Sequence, residues 1–500
     1  MPLHRSQINN QTTDKLKELD TKAYLRASQA SYALQQYDVA ATYCRRMLDL
    51  QPDHKDGVQL LSKIDMRLFE QTSGVYDIAS IQDNVSRQAP RVDAADYLSN
   101  TAVKASGPNR GRGLFATRNL TAGDLILAET AFASVWDGER THVMATKWNA
   151  RSLDDLHIRL IGLWKVALQR VEGNPISGCD LLNLHGDYSE LGEIVAEFDG
   201  VSIVDTYQVH DIVARNAFQL GWRSERKSHG SGVYIRSSYV NHSCVPNSRR
   251  TFIGDLLLPY ATKDIKKGEE LTISYGHDLE ALTSRREAMM STWNFRCDCP
   301  LCLADGQVSS DILERRDGLV KAAESFIQRS SSREGTTNSM LLQAERYARD
   351  ISATYDSTSY SGLPRTALIA IQSWLVEATI TCRNVDKSMR SLPNLLRSPG
   401  YNVDVLNGSI EHISPTSNSI LADSAFLALS EPLIGTAFRR DLLGDAEVAA
   451  HLTGFVKAWD RIMHGTDART VQAFDEHSSM SSEFRARMAA MTSGMARMST

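Results

Sequence analysis

Three of the chain's seven cysteines fall within six residues. In 295-FRCDCPLCLAD-305, Cys297, Cys299 and Cys302 follow the pattern C-x-C-x-x-C. Three thiolates at this spacing can wrap one face of a tetrahedral ion, but a structural zinc site takes four ligands. No Cys or His follows Cys302 for many residues, so a fourth ligand has to come from elsewhere in the chain. Cys244 is the best candidate: it sits in 241-NHSCVPN-247, among turn-forming residues just after a strand-prone run. The bland alternative is three reduced cysteines in a loop, with Cys244 a small buried hydrophobe. An odd number of cysteines does not make a closed disulfide framework.

Two other stretches could carry chemistry. The segment 110-RGRGLFA-116 has a G-x-G, but the third glycine, the following helix and the later acidic residue of a dinucleotide fingerprint are missing. By itself it reads as a tight turn. The segment 268-GEELTISYG-276 is a short β-prone run ending in Tyr275. Composition bounds what these residues can belong to. The 500 residues are 42% hydrophobic and 23% charged, ordinary for a globular protein of about three domains. A net charge of −5 disfavours an electrostatic nucleic-acid binder. No apolar run approaches the roughly 20 residues of a membrane helix, and the polar start MPLHRSQINN has no signal core. The expected setting is intracellular, cytoplasmic or nuclear, where thiols stay reduced.

The elements that must position these residues are mixed. Residues 1–75 read as helix, with apolar positions at three- and four-residue spacing through 24–54 and a stop at Pro52. Tyr24, Tyr37, Ala40, Leu48 and Pro52 resemble one tetratricopeptide repeat, although an ordinary helical hairpin fits almost as well. One repeat cannot bury its own apolar face, so it must lean on another domain or a partner. Residues 76–100 read as a linker. Short strands are expected within 102–130, paired about a turn at Ala122-Gly123, and again at 232–240, 256–265 and 271–276. Between them 130–215 reads as helical. A helix over 280–293 leads into the cysteines, helices dominate 307–478, including 312–328, 366–380 and 447–465, and 479–500 reads as a flexible tail. The fold class is α+β.

In order along the chain, RGRGLFA, NHSCVPN, GEELTISYG and FRCDCPLC resemble the SET-domain protein lysine methyltransferases. The likeness is nearest to the SET-and-MYND subfamily, and it covers about residues 100–305. It implies a β-rich SET domain at 101–277 split by the helical insert at about 130–215. A zinc-bound post-SET segment at 278–306 follows, and an all-α domain at 307–478 completes the subfamily's plan. The implied activity is methyl transfer from S-adenosyl-L-methionine to a lysine of a protein substrate, with Zn(2+) as structural metal held by Cys244, Cys297, Cys299 and Cys302.

Residue by residue, the resemblance makes Tyr275 the residue at the methyl-transfer point and Phe218 a wall of the lysine channel. It makes Asn241 and His242 contacts of the cofactor's amino-acid portion, with His242 also a candidate for holding its own backbone segment. Arg110, Gly111, Arg112 and Gly113 match the first cofactor loop, Asn216 and Ser238 further cofactor contacts, and Phe295 the ring that stacks on adenine. Glu269 and Glu270 are expected at a solvated turn, and Arg249 and Arg250 on a solvated strand edge.

The chain also departs from the subfamily. The insert holds a single cysteine, Cys179, too few for a MYND zinc finger, so partner recognition through that finger is not implied. The N-terminal repeat is the remaining candidate for a partner-protein site. Trp293 stands where the family often has tyrosine, which bears on channel width. The competing readings are a SET and repeat scaffold without activity and, disfavoured by charge, a zinc protein acting on nucleic acid.

Overall fold

The computed structural model describes residues 3–107, 110–137, 139, 155–186, 197–198, 201–221, 228–276, 280–331, 335–382, 385–406, 409–416 and 418. Three helices, Leu3–Ala33, Tyr37–Leu50 and Lys55–Ser73, open the chain. His54 caps the third by accepting the Gly57 N–H at 3.2 Å. Gly74, at φ 69°, ends it against the Tyr97 ring, where a Cβ would come within 2.6 Å. Tyr37, Ala40, Cys44 and Met47 bury one face with Ile64 and Ala95. Small residues let the first two helices meet closely, and Ser28 Oγ donates to the Ala40 carbonyl at 2.8 Å.

This helical unit leans on its neighbour, as an isolated hairpin must. Tyr32 donates to Asp93 at 2.8 Å, Gln35 Nε2 to Thr130 Oγ1 at 3.0 Å, and the Ala95 N–H to Glu70 at 2.9 Å. Residues 76–100 are therefore not a free linker. They form the helix Ile78–Asn84, bury Ala94, Ala95 and Tyr97, and pair Tyr97 with Ala128. A few apolar residues spaced through a polar stretch are enough to dock it.

Strands β1 (Thr101–Ala105) and β2 (Arg112–Ala116) pair as an antiparallel hairpin around 106–111. The turn expected at Ala122-Gly123, between the runs 113–116 and 125–128, is present, but β2 pairs with β1 instead. There Gly123 (φ 94°) turns the chain between Leu120, bridged to Ile265, and Leu125, bridged to Tyr260. Next come β3 (Glu129–Thr130), β4 (Ala133–Trp136), β5 (Glu197–Phe198), β6 (Val201–Ser202), β7 (Ala217–Gly221) and β8 (Ser228–Val233). The core closes with β9 (Asn241–His242), β10 (Ser248–Ile253), β11 (Leu256–Ala261) and β12 (Thr272–Ile273). The sheets run β10-β11-β3 and β4-β8-β7, with β9 and β12 parallel. The strand read at 232–240 stops at Val233. Beyond it Glu129, fully buried, accepts the N–H groups of Arg236 and Ser237 and folds 237–239 into a 3-10 turn.

Within the described part of the insert, the helices Asp155–Gly173, Pro175–Leu182 and Thr206–Asn216 pack on β4 and β8 through Leu163, Ala167, Leu181 and Val209. After β12 come the helices Leu282–Trp293, Pro300–Gln307, Ser310–Ser331, Asn338–Ser352, Ile369–Thr381 and Val385–Arg397. The C-terminal region is not all-α: β13 (Tyr401–Leu406) and β14 (Ser409–Pro415) form an antiparallel hairpin. Its sequence signal was present in Val403, Val405, Ile410 and Ile413 around Asn407-Gly408, a dipeptide favoured in tight hairpins. The helix expected at 447–465 and the tail at 479–500 lie outside the described residues. No helix among the described residues is long and apolar enough to cross a membrane.

Candidate active site and metal centre

The sulfurs of Cys244, Cys297, Cys299 and Cys302 all lie within 4.8 Å of one another, and all four residues are buried. Cys244 and Cys302 are 3.6 Å apart at sulfur. A zinc ion with Zn–S bonds of about 2.3 Å holds tetrahedral sulfurs about 3.8 Å apart, so the donor set fits that ion. The remote fourth cysteine, Cys244, is the one that the turn after β9 delivers.

Four thiolates around a divalent ion leave surplus negative charge, and two donors face it. His242 Nε2 lies 3.3 Å from Cys244 Sγ, and Arg285 Nη2 3.7 Å from Cys302 Sγ. The other ring nitrogen of His242, Nδ1, accepts the Tyr275 N–H at 3.1 Å. An acceptor at Nδ1 leaves the proton on Nε2, which then donates to the sulfur. Arg285 is itself held by Asp305 at 2.6 Å, and Asp305 also takes Arg316 at 3.1 Å and the Tyr360 hydroxyl. The cluster shares one apolar core with Phe326, Leu341 and Trp374 of the C-terminal helices.

Beside the cysteines lies a cleft of about 690 Å³. Of the residues singled out in the sequence for cofactor binding, Arg110, Gly111, Arg112, Asn216, Ser238, Asn241, His242, Tyr275 and Phe295 all line it. Gly113 lies behind the surface. A Cβ there would stand 2.5 Å from Glu270 Oε1 and 2.9 Å from Asn241 Nδ2, so glycine is required for the loop to close on Asn241. Phe218 does not line the cleft. Its ring packs against Tyr234 at 5.4 Å and Phe252 at 6.5 Å, with the Arg250 guanidinium 5.7 Å away.

Asn241 is the most constrained residue of the cleft wall. Its Nδ2 donates to Glu270 Oε1 at 2.7 Å, to Ser106 Oγ at 3.1 Å and to the Arg112 carbonyl at 3.2 Å. Three acceptors around the amide nitrogen set its orientation. Glu270 is thus no solvated turn residue: its side chain is 18% exposed and bonds Asn241 and Ser106. Arg249 and Arg250 are corrected likewise. Arg249 is buried, and Arg250 donates to the Ser274 carbonyl at 2.9 Å, because β10 runs beside the 272–274 segment rather than at an open edge.

The Tyr275 hydroxyl donates to the Val240 carbonyl at 2.9 Å, and burial pushes its pKa up to about 12. Its ring lies 5.2 Å from His242 and 4.8 Å from Trp293. Trp293 is anchored through Nε1 to the Arg215 carbonyl at 3.0 Å. Asn216 Nδ2 donates to the His185 carbonyl at 2.8 Å, which ties the insert to the cleft. Of the two loop arginines, Arg112 bonds the Asn183 carbonyl and lies over the Tyr239 ring, whereas Arg110 stands between Glu270 and Asp298 at 3.9 and 3.8 Å. Sequence reading missed His185 and Tyr239, both of which line the cleft.

With this geometry in view, relatives are informative. Residues 111–276 match the family described as SET domain. A protein named "Methyltransferase" from Gibberella zeae is 26% identical over 350 residues, 65% of this chain and 47% of that relative. A SET and MYND domain-containing protein of Dictyostelium discoideum is 36% identical over 129 residues, 25% of this chain and 24% of the relative. The human Histone-lysine N-methyltransferase SMYD3 is 38% identical over 98 residues, 20% of this chain and 23% of the relative. The chain thus spans about half of the first relative and about a quarter of the other two. Residues 111–276 are similar to SET domains, and stretches of about a fifth to a quarter of the chain are similar to SET-and-MYND relatives.

Proposed function

We propose that this chain transfers a methyl group from S-adenosylmethionine to a lysine side chain of a protein substrate. The observation that carries the reading is the convergence of Asn241, Tyr275 and Phe295 on one cleft, from three separate stretches of sequence, beside a four-cysteine centre. Bound in that cleft, S-adenosylmethionine would supply an electrophilic methyl group on a cationic sulfonium.

The chain's own residues do the rest. Asn241 presents its amide oxygen as an acceptor for an ammonium group, and Arg110 is the loop arginine placed to meet a carboxylate. Phe295 offers a ring face for a base, at a position set by Cys297 two residues on. A lysine amine must be neutral to attack, and near pH 7 only about one in a thousand is, given a pKa near 10.4. Apolar walls disfavour the ammonium form. The aromatic rings that line the cleft are Tyr239, Tyr275, Trp293 and Phe295, while Phe218 packs with Tyr234 and Phe252 away from its lining. A tyrosine held near 12 is no general base at neutral pH, so Tyr275 orients the amine and polarises its surroundings through its hydroxyl and ring. A zinc ion held by the four cysteines would be structural, since four protein ligands would leave no open position.

Titration calorimetry of the zinc-loaded protein with S-adenosylhomocysteine tests the reading, followed by methyl transfer to a protein panel with Tyr275→Phe as control. Binding with Tyr275-dependent transfer supports the enzyme. Absence of binding overturns it and leaves a scaffold.

A further inference from the structure

A second cleft, of about 600 Å³, lies in the C-terminal region between the helices Asn338–Ser352, Ile369–Thr381 and Val385–Arg397 and the start of β13. Four arginines from three segments line it: Arg349, Arg365, and Arg390 with Arg397 on one helix. Among the described residues no lysine lines it, and the single lining carboxylate, Glu345, is engaged by Lys387 at 3.1 Å. None of the four arginines has a carboxylate partner among the described residues. Arg397 alone makes a side-chain hydrogen bond, to the Val403 carbonyl at 2.8 Å.

Four like charges around one concavity repel one another, and the concavity concentrates their field. In a chain of net charge −5 this is a local feature rather than part of a basic surface. A guanidinium fork matches carboxylate and phosphate oxygens two at a time, which an ammonium cannot do. A carboxylate carries one charge. A phosphate monoester carries about −1.5 to −2 with three acceptor oxygens, enough to engage two guanidiniums at once. Ser391, Asn394 and Asn402 add neutral hydrogen-bonding groups along the same wall.

We propose that this cleft is a binding site for phosphate-ester ligands, formed by Arg349, Arg365, Arg390 and Arg397. The proposal is independent of the methyl-transfer reading.

Fluorescence and calorimetric titrations in physiological salt test it with four probes: pyrophosphate, inositol hexakisphosphate, a Gly/Ser peptide with two phosphoserines, and the same peptide with glutamates. Tight binding of the phosphopeptide identifies a protein-borne ligand, and preference for the small phosphates a free one. Either supports the site, provided the glutamate peptide binds at least about tenfold more weakly. The double substitutions Arg349→Gln/Arg390→Gln and Arg349→Lys/Arg390→Lys should each weaken the best probe about tenfold or more. The lysine pair keeps the charge and loses the fork, so a merely electrostatic surface would not register it. Both arginines are exposed, so thermal melting and S-adenosylhomocysteine binding should stay unchanged and report an intact fold. Equal binding of the glutamate peptide, no binding of any phosphate probe, or affinities indifferent to the substitutions would each overturn the proposal.

Discussion

One imidazole links Tyr275 to the cysteine centre: His242 accepts the Tyr275 N–H at Nδ1 and faces Cys244 Sγ with Nε2. Metal and cleft are therefore joined through a single side chain as well as through the chain between Phe295 and Cys297. Replacing His242 with alanine removes a donor to the sulfur and an acceptor for the Tyr275 backbone together. Loss of such a partner typically costs 10- to 100-fold in metal affinity. Competition with a chromophoric chelator should show that weakening, with S-adenosylhomocysteine affinity falling in parallel.

Cys244→Ser tests the remote ligand directly. Zinc per chain, measured by plasma emission after chelator dialysis, should fall well below one, and binding in the neighbouring cleft should weaken because Phe295 loses its anchor. Undiminished zinc would place the metal on the other three cysteines alone.

Tyr275→Phe should lower kcat by about a hundredfold or more, the scale seen when one electrostatic donor is removed from an active site. The variant should still bind S-adenosylhomocysteine, and losing the bond to Val240 should cost about 1 kcal/mol in denaturant unfolding. With the hydroxyl held near 12, no tyrosine titration should appear in the rate profile between pH 7 and 10.

Stability should fall as pH rises through the weakly acidic range. Burial raises the Asp96 carboxyl from 3.8 to about 6 and that of Glu129 from 4.5 to about 7. Between the unfolded and folded values the native state holds more protons, so the slope of unfolding free energy with pH is negative. The penalty is absent below about pH 4, develops to about pH 7 and persists above. Melting temperatures across pH 4.5 to 8 should show the decline, and Asp96→Asn should flatten it while keeping the oxygen that accepts the Thr130 N–H.

Asp305 offers a fifth measurement. Its carboxylate lies between Arg285 and Arg316, both buried, so Asp305→Ala strands two guanidiniums. Removing one member of a buried ionic set costs about 3–5 kcal/mol. Urea unfolding should show a loss of that order.

The cleft was legible wherever a short motif carried it. Asn241, Tyr275 and the C-x-C-x-x-C run could be placed because glycine, proline and cysteine spacing are local signals. Cys244 was singled out only by asking where a fourth thiolate could come from, and the structure places it among the other three cysteines. Glu270, Arg249 and Arg250 were misread because a charged residue beside a turn looks solvated, and only pairing across more than a hundred residues (Ser106 with Glu270) shows otherwise. The hairpin at 401–415 was missed although its signal was local, whereas the linker failed for a related reason. Sparse apolar residues dock a segment once a surface exists for them, and a sequence window does not contain that surface.

The spacing of the cysteines has a temporal consequence. Cys244 and Cys302 lie 58 residues apart, and their sulfurs meet only when the β-core and the helix Leu282–Trp293 have both formed. The ion cannot nucleate this fold the way it nucleates a small finger. An ion bound by all four thiolates would be held only once these elements are in place, so its retention would report a correctly formed β9. A chain with a slipped β9 has no fourth thiolate to offer, holds the metal weakly and stays open to chaperones and proteases.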